Sequence, residues 1–122
     1  MITDTMQQKI IEYLRDTLIS SAGIGMGGNS TNPSSTALDV ELLDGAGNPI
    51  GNTLTKTASD LNVLEAKVAV SGTNIQGKVI REVGLKDSSG NLLARVNFDG
   101  VGPFASNETL EIFLLMEVEW YG

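Results

Sequence analysis

Residues 80–98 read IREVGLKDSSGNLLARVNF, and this stretch decides the fold class. Two segments of alternating residues, 79–85 and 92–98, flank a turn-forming segment at residues 87–91. An aspartate can accept hydrogen bonds from backbone N–H groups that follow it, and Gly-Asn supplies the positive φ angles that tight hairpins need. Gly84 inside the first segment indicates a close backbone approach or a bulge. The stretch therefore predicts a β-hairpin.

The same signals continue outward from this hairpin. A second D-x-x-G-N turn occurs at residues 44–48, and we predict a hairpin turn there as well. Apolar residues alternate with other residues at 38–42, at 64–70 and, over the longest distance, at 110–120. A period of two is typical of half-buried strands in antiparallel sheets. The predicted fold class is mainly β: a small antiparallel β-sandwich over residues 37–122 with one N-terminal α-helix.

The helix is predicted at residues 4–20. Asp4 is a suitable N-cap, and Gln7 three residues later completes a capping-box pattern. An apolar stripe recurs every four residues, which is typical of an amphipathic helix; it consists of Met6, Ile10, Leu14 and Leu18, and Ile11 and Ile19 widen it. We expect residues 1–22 to form an N-terminal helix that is either an arm or docked on its own domain.

Residues 23–36 are rich in Gly, Ser and Thr, and we predict a linker there. Residues 23–28 literally match G-x-G-x-x-G. A dinucleotide site, however, needs a strand before the glycines and a helix after them. Because the predicted order is reversed, the linker is the favoured interpretation.

Composition excludes several classes of function. The chain has 122 residues, no cysteine and no histidine, so thiolate chemistry and the usual general base at neutral pH are absent. A carboxylate pair such as Glu82 with Asp99 could in principle hydrolyse glycosides, but no spacing singles out a pair. We expect no enzymatic activity, no cofactor and no metal. The net charge of −7 makes nucleic acid and membranes poor partners.

The last predicted strand is apolar on both faces at its centre, where Phe113 and Leu115 lie between glutamates. A strand of this kind is covered on its second face. The cover is either the N-terminal helix or a neighbouring subunit, and both remain open. The candidate interface consists of Met6, Ile10, Leu14, Leu18, Phe113 and Leu115.

Residues 80–94, with the pattern I-x-E-V-G-L-x-D-x-x-G-x-L-L-A, resemble a motif common in tail-fibre and tail-collar proteins of tailed phages. Phe98 matches the aromatic residue that follows it, whereas Lys86 stands where such proteins usually have an aromatic residue. The resemblance implies a virion structural protein: a tail-fibre, collar or baseplate-adaptor component that assembles with other virion proteins. It also implies a homo-oligomer, with a trimer favoured, made in the host cytoplasm and located in the virion.

Two alternatives remain. A capsid decoration (cement) protein on the head lattice would have a similar size and acidity. A carbohydrate-binding receptor module for a host-surface glycan is the second alternative. Its stacking residues would be Trp120, Tyr13 and Tyr121, which do not lie in one loop cluster. The N-terminus shows no signal peptide, and the longest apolar run, residues 112–116, is too short to span a membrane.

Overall fold

The computed structural model describes residues 1–28 and 36–120. Helix α1 covers Asp4–Tyr13, a π-helical turn follows at Leu14–Leu18, and the short helix α2 covers Gly72–Ile75. The strands are β1 (Ser21–Gly25), β2 (Thr53–Asp60), β3 (Val63–Ser71), β4 (Ile80–Lys86), β5 (Leu92–Val101) and β6 (Thr109–Glu117). No helix among the described residues has the length and apolarity needed to cross a bilayer.

The described strands form two antiparallel sheets, β1-β4-β5 and β2-β3-β6. Together with the N-terminal helix they make a small β-sandwich, so the predicted fold class is confirmed. The core lies between the sheets, because alternate residues of each strand point inward. Its fully buried side chains include Ile24, Leu64, Val68, Ile80 and Leu85.

The predicted hairpin at residues 80–98 is confirmed as β4 and β5. Its turn is closed by Asp87, whose Oδ1 accepts hydrogen bonds from the N–H groups of Ser89 at 3.0 Å and Asn91 at 2.8 Å. Gly90 has a φ of 85°, which suits glycine. The predicted turn at residues 44–48 has the same construction, with Asp44 Oδ1 accepting from Ala46 N and Asn48 N and Gly47 at a φ of 83°.

The helix begins and ends at residues other than those predicted. Thr3, not Asp4, is the N-cap, and its hydroxyl accepts a hydrogen bond from Met6 N at 3.3 Å. The α-helix ends at Tyr13 rather than at residue 20. The π-helical turn then widens the spiral, and Ile19 N donates to Leu14 O at 3.1 Å, five residues back. Ser20 N already donates to Lys86 O of β4, which stops any further helix.

The predicted linker at residues 23–36 is wrong in its first part, because β1 runs through Gly25 and pairs with β4. Residues 29–35 of that segment lie outside the described residues. Strand β2 was not predicted, since its inward positions, Leu54, Lys56 and Ala58, are only partly apolar. The longest predicted strand is confirmed as β6, which ends at Glu117 rather than at residue 120.

Candidate interaction surface

Glu82 of β4 is the buried charged residue of the described chain, with 0% of its surface exposed. Its carboxylate accepts three backbone hydrogen bonds. Oε2 is 2.7 Å from Gly27 N and 2.9 Å from Val40 N, and Oε1 is 2.7 Å from Asp39 N. Charge-assisted bonds of this length offset much of the cost of burying a carboxylate. The Glu82 carboxylate is therefore the anchor for a chain segment that crosses the outside of the β1-β4-β5 sheet.

We call that segment, residues 37–43, the strap. Its apolar alternation predicts a strand, but the structure has only isolated bridges there, Gly25 with Glu41 and Leu43 with Pro49. Successive N–H groups of a strand point to opposite sides. Two successive ones, of Asp39 and Val40, converge on the Glu82 carboxylate, which requires a turn. As a result Val40 is exposed while its predicted face-mates, Leu38 and Leu42, are buried.

Glycine makes room for the strap on the outer face of the sheet. A Cβ placed on Gly25 would lie 2.7 Å from Glu82 Oε2 and would also collide with the Val40 carbonyl oxygen. A Cβ on Gly84 would lie 2.6 Å from Leu92 Cδ1 and 3.0 Å from Leu38 Cδ2. Gly84 was predicted to mark a close backbone approach or a bulge; the close neighbours are side chains, and the nearest backbone atom, Ala94 O, would be 3.4 Å from the added Cβ. The G-x-G pattern at residues 23–25 supplies strand positions that the strap can cover.

Ion pairs hold the strap at its side chains. Lys86 Nζ lies 2.6 Å and 2.7 Å from the two carboxylate oxygens of Glu41, and these side chains are only 11% and 14% exposed. Arg95 Nη1 donates to Ala37 O at 3.1 Å and lies 3.4 Å from Asp39 Oδ1. Lys86, which stands where the motif that this segment resembles usually has an aromatic residue, therefore has a defined partner on the strap.

The strap also closes the free edge of β1. Met26 N donates to Val40 O and Leu42 N donates to Ile24 O, each at 2.9 Å. These two bonds flank the bridge between Gly25 and Glu41 in the way that an antiparallel strand would. One sheet of the sandwich is thus covered by the chain itself on its outer face and on one edge.

The outer face of the β2-β3-β6 sheet is different. Phe113 and Leu115 of β6 point outward and are 58% and 70% exposed. Their cross-strand neighbours on β3 are Lys67 and Glu65, and the next positions on β2 are threonines. No described residue buries the two apolar side chains. We call the pair Phe113 and Leu115, with the outward side of β6 that carries them, the open face.

The N-terminal helix does not cover the open face, so that alternative for Phe113 and Leu115 is wrong for the described residues. The helix instead lies beside the β2–β3 turn, where Ile11 and Arg15 share a groove with residues 58–61. Ile11 is its buried residue, and Leu14 packs against the core. Of the other predicted stripe residues, Ile10 and Leu18 are half-buried and Met6 is exposed. The helix therefore packs mainly through Ile11 and Ile19, the residues that widen the predicted stripe.

Arg15, Asp16 and Asp87 have shifted pKa values, and none of these three residues belongs to the strap or to the open face. The Asn91 side-chain amide, and then the backbone N–H groups of the turn, lower the pKa of Asp87. The hydrogen bond and charge of Arg15 lower the pKa of Asp16.

Among the described residues no group of His, Cys, Asp or Glu is arranged to hold a metal ion. Glu82 and Asp99 do not form an evident catalytic pair, because Glu82 is buried with three amides on its carboxylate and Asp99 is exposed.

These features define a class: a small β-sandwich with one self-covered sheet and one sheet that presents an apolar strand. Comparison with known protein families, curated proteins and solved structures found no match to this chain. Sequence reasoning identified Phe113 and Leu115 but missed the strap and its anchor. It also missed β1, for which the alternation of Ala22, Ile24 and Met26 with glycines is a strand pattern.

Proposed function

We propose that this protein is a structural component of a tailed-phage virion that acts by protein–protein assembly. Within that class we favour a tail-fibre, collar or baseplate-adaptor component. The resemblance of residues 80–94 to tail-fibre and tail-collar proteins supports the class, and the open face supports the mode of action. The resemblance to these proteins favours a homotrimer as the assembly.

The observation that carries the proposal is the exposure of Phe113 and Leu115 on a regular strand. Single exposed apolar residues are ordinary on protein surfaces, but two large ones on one sheet face are typical of an interaction site. Charged residues flank the pair on the same strand, Glu111 and Glu117, as at the polar rim of an interface.

Locating the protein in purified particles tests the proposal. An antibody raised against the recombinant chain would be applied to separated tails and heads of phage particles from a lysate that contains the protein. We expect labelling of tails at a fixed number of copies per particle. Labelling of heads alone would favour the capsid decoration alternative, and a protein absent from washed particles would overturn the virion assignment.

A further inference from the structure

We propose that two copies of this chain pair through their β6 strands, antiparallel and related by a twofold axis at Phe113, to join their β2-β3-β6 sheets into one. This inference rests on the proposed assembly role and names its first partner, a second copy of the chain. Antiparallel addition of a strand to a free edge satisfies backbone groups that would otherwise face water. Strand β6 differs from the other edge strands of the two described sheets in having no feature that opposes such pairing.

Three of the four sheet edges in the described part of the chain carry features that oppose pairing. The strap occupies the edge of β1 through Val40 O and Leu42 N. On β2, Lys56 points inward opposite the buried Ala66 and donates to Ile19 O, and a register shift follows at residues 58–60. Strand β5 pairs with β4 through two register shifts. Inward charges, bulges and covering segments are the means by which natural edges avoid pairing.

Strand β6 has none of these features. Its nine residues pair with β3 in one continuous register, from Thr109 opposite Ser71 to Glu117 opposite Val63. The strand contains no proline, lysine or arginine. Among the described residues β3 is its only strand partner, so one whole edge is free. The open face lies on this edge strand, while β2 and the centre of β3, at Glu65 and Lys67, are polar outside. The apolar surface is therefore placed for contact at the edge rather than across the whole sheet.

The length and the charges of β6 together select the register of the pair. With the axis at Phe113, all nine residues of one strand oppose nine of the other, and the two Phe113 side chains meet on the open face. Glu111 then opposes the partner's Leu115, and Glu117 opposes the partner's Thr109. With the axis at Leu114, Glu111 would oppose the partner's Glu117, and like charges directly opposite each other are destabilising. An axis between two residues would turn apolar side chains to the wrong face.

A twofold pair differs from the trimer that the resemblance favours. A trimer needs a heterologous contact between two different surfaces, so a trimer built by strand pairing would join β6 to the edge of a different strand. The inward Lys56 and the register shift oppose pairing at β2. The isologous β6 pair needs only the one edge that is free, so the geometry points to a dimer.

A pair of charge substitutions tests this register. Phe113→Glu places its carboxylate beside Lys67 of its own chain, which supports the fold, but directly opposite the same carboxylate of the second copy. The matched control, Thr55→Glu, places its carboxylate beside the same Lys67 but on β2, away from the paired edge. Sedimentation equilibrium should give a dimer for the wild type and for Thr55→Glu. For Phe113→Glu we expect the dissociation constant of the dimer to rise about tenfold or more.

Cysteine cross-linking provides a second test that does not depend on the charge variants. The wild-type chain has no cysteine, so any disulfide must come from the introduced residue. Phe113→Cys places two thiols opposite each other at the axis, within the range of a cross-strand pair. Glu117→Cys, the control, places them at opposite ends of the paired strands. Mild oxidation should give covalent dimers of Phe113→Cys and leave Glu117→Cys monomeric on a denaturing gel.

The outcomes separate this inference from the proposed function. A wild type that stays monomeric or forms a trimer would overturn the twofold pair, as would equal cross-linking at positions 113 and 117. If Phe113→Glu loses its β-sheet circular dichroism, the cysteine pair decides. A monomer found in virions would remove the inference and leave the proposed function standing. A dimer absent from virions would do the reverse.

Discussion

The two sheets of this sandwich solve the same problem in opposite ways. Each sheet has an outer face that points away from the core. On the β1-β4-β5 sheet the chain covers that face with its own strap, anchored by Glu82 and by the ion pair of Lys86 with Glu41. On the β2-β3-β6 sheet the chain leaves Phe113 and Leu115 uncovered. The covered outer face carries glycines, whereas the uncovered outer face carries large apolar side chains.

This difference separates residues that hold the fold from residues available for assembly. The motif that prompts the phage resemblance, residues 80–94, lies in the covered sheet. Two of its characteristic residues have structural roles there. Glu82 accepts hydrogen bonds from backbone N–H groups, and Gly84 lies under the strap. The open face lies outside the motif. Substitutions in the covered sheet should therefore lower the free energy of unfolding, whereas those on the open face should change association.

The largest expected effect comes from Glu82→Leu. The substitution removes three charge-assisted hydrogen bonds and leaves the buried N–H groups of Gly27, Asp39 and Val40 without their acceptor. We expect the free energy of unfolding to fall by about 3–5 kcal/mol, measured by urea denaturation. The strap should also become a site of rapid proteolysis.

The control for this prediction is Glu111→Leu on the open sheet. Glu111 is exposed, and its one ion pair, with Lys67 Nζ, is long at 4.0 Å. Its substitution should change the free energy of unfolding by no more than about 0.5 kcal/mol. Equal losses for the two glutamates would contradict the anchoring role of Glu82.

Gly25→Ala is the next test, because it asks whether the strap needs the glycine beneath it. The added methyl group would meet the Val40 carbonyl oxygen and the Glu82 side chain, neither of which can move without loss of the anchor. We expect a loss of about 2 kcal/mol in a thermal or urea denaturation experiment. Gly45→Ala is the matched control, since nothing lies within 4 Å of its Cβ position. A loss at Gly45 as large as that at Gly25 would argue against crowding as the cause.

The sequence predicts the covered hairpin and the open face better than it predicts the strap. Alternating apolar residues and the Asp87 turn are local signals, and both identify strands correctly. The strap depends on contacts between distant residues: Glu82 binds Asp39 N across 43 positions. Leu38, Val40 and Leu42 imitate a strand, and only the buried carboxylate shows why they turn instead. Strand β1 is hard to predict for a similar reason. Its glycines are covered by the side chains of Glu41 and Glu82, which are distant in the sequence.

Lys86→Met and Lys67→Met compare an ion pair of the covered sheet with one of the open sheet. Removing Lys86 leaves the Glu41 carboxylate largely buried beside an apolar group, so we expect a loss of about 1–2 kcal/mol. Removing Lys67 breaks a long, exposed pair with Glu111 and should cost less than about 0.5 kcal/mol. A double-mutant cycle of Lys86→Met with Glu41→Gln should show that the two losses are not additive. Additive losses would mean that the pair does not hold the strap.

The smallest expected effect concerns the turn that joins the covered hairpin. Hydrogen bonds from Asn91, first from its side chain and then from its backbone, lower the pKa of Asp87 below the ordinary value of 3.8. Because the folded-state pKa is depressed, the stabilisation is present above pH 3.8 and is lost as the pH falls through the lower folded value. Wild type should therefore be slightly more stable than Asp87→Asn at neutral pH and should lose this advantage in more acidic solution. Ser88→Ala, which keeps the carboxylate, should follow the wild-type pH dependence in parallel thermal melts. A difference between wild type and Asp87→Asn that persists unchanged at the lowest pH would assign the effect to the shape of the turn rather than to the Asp87 charge.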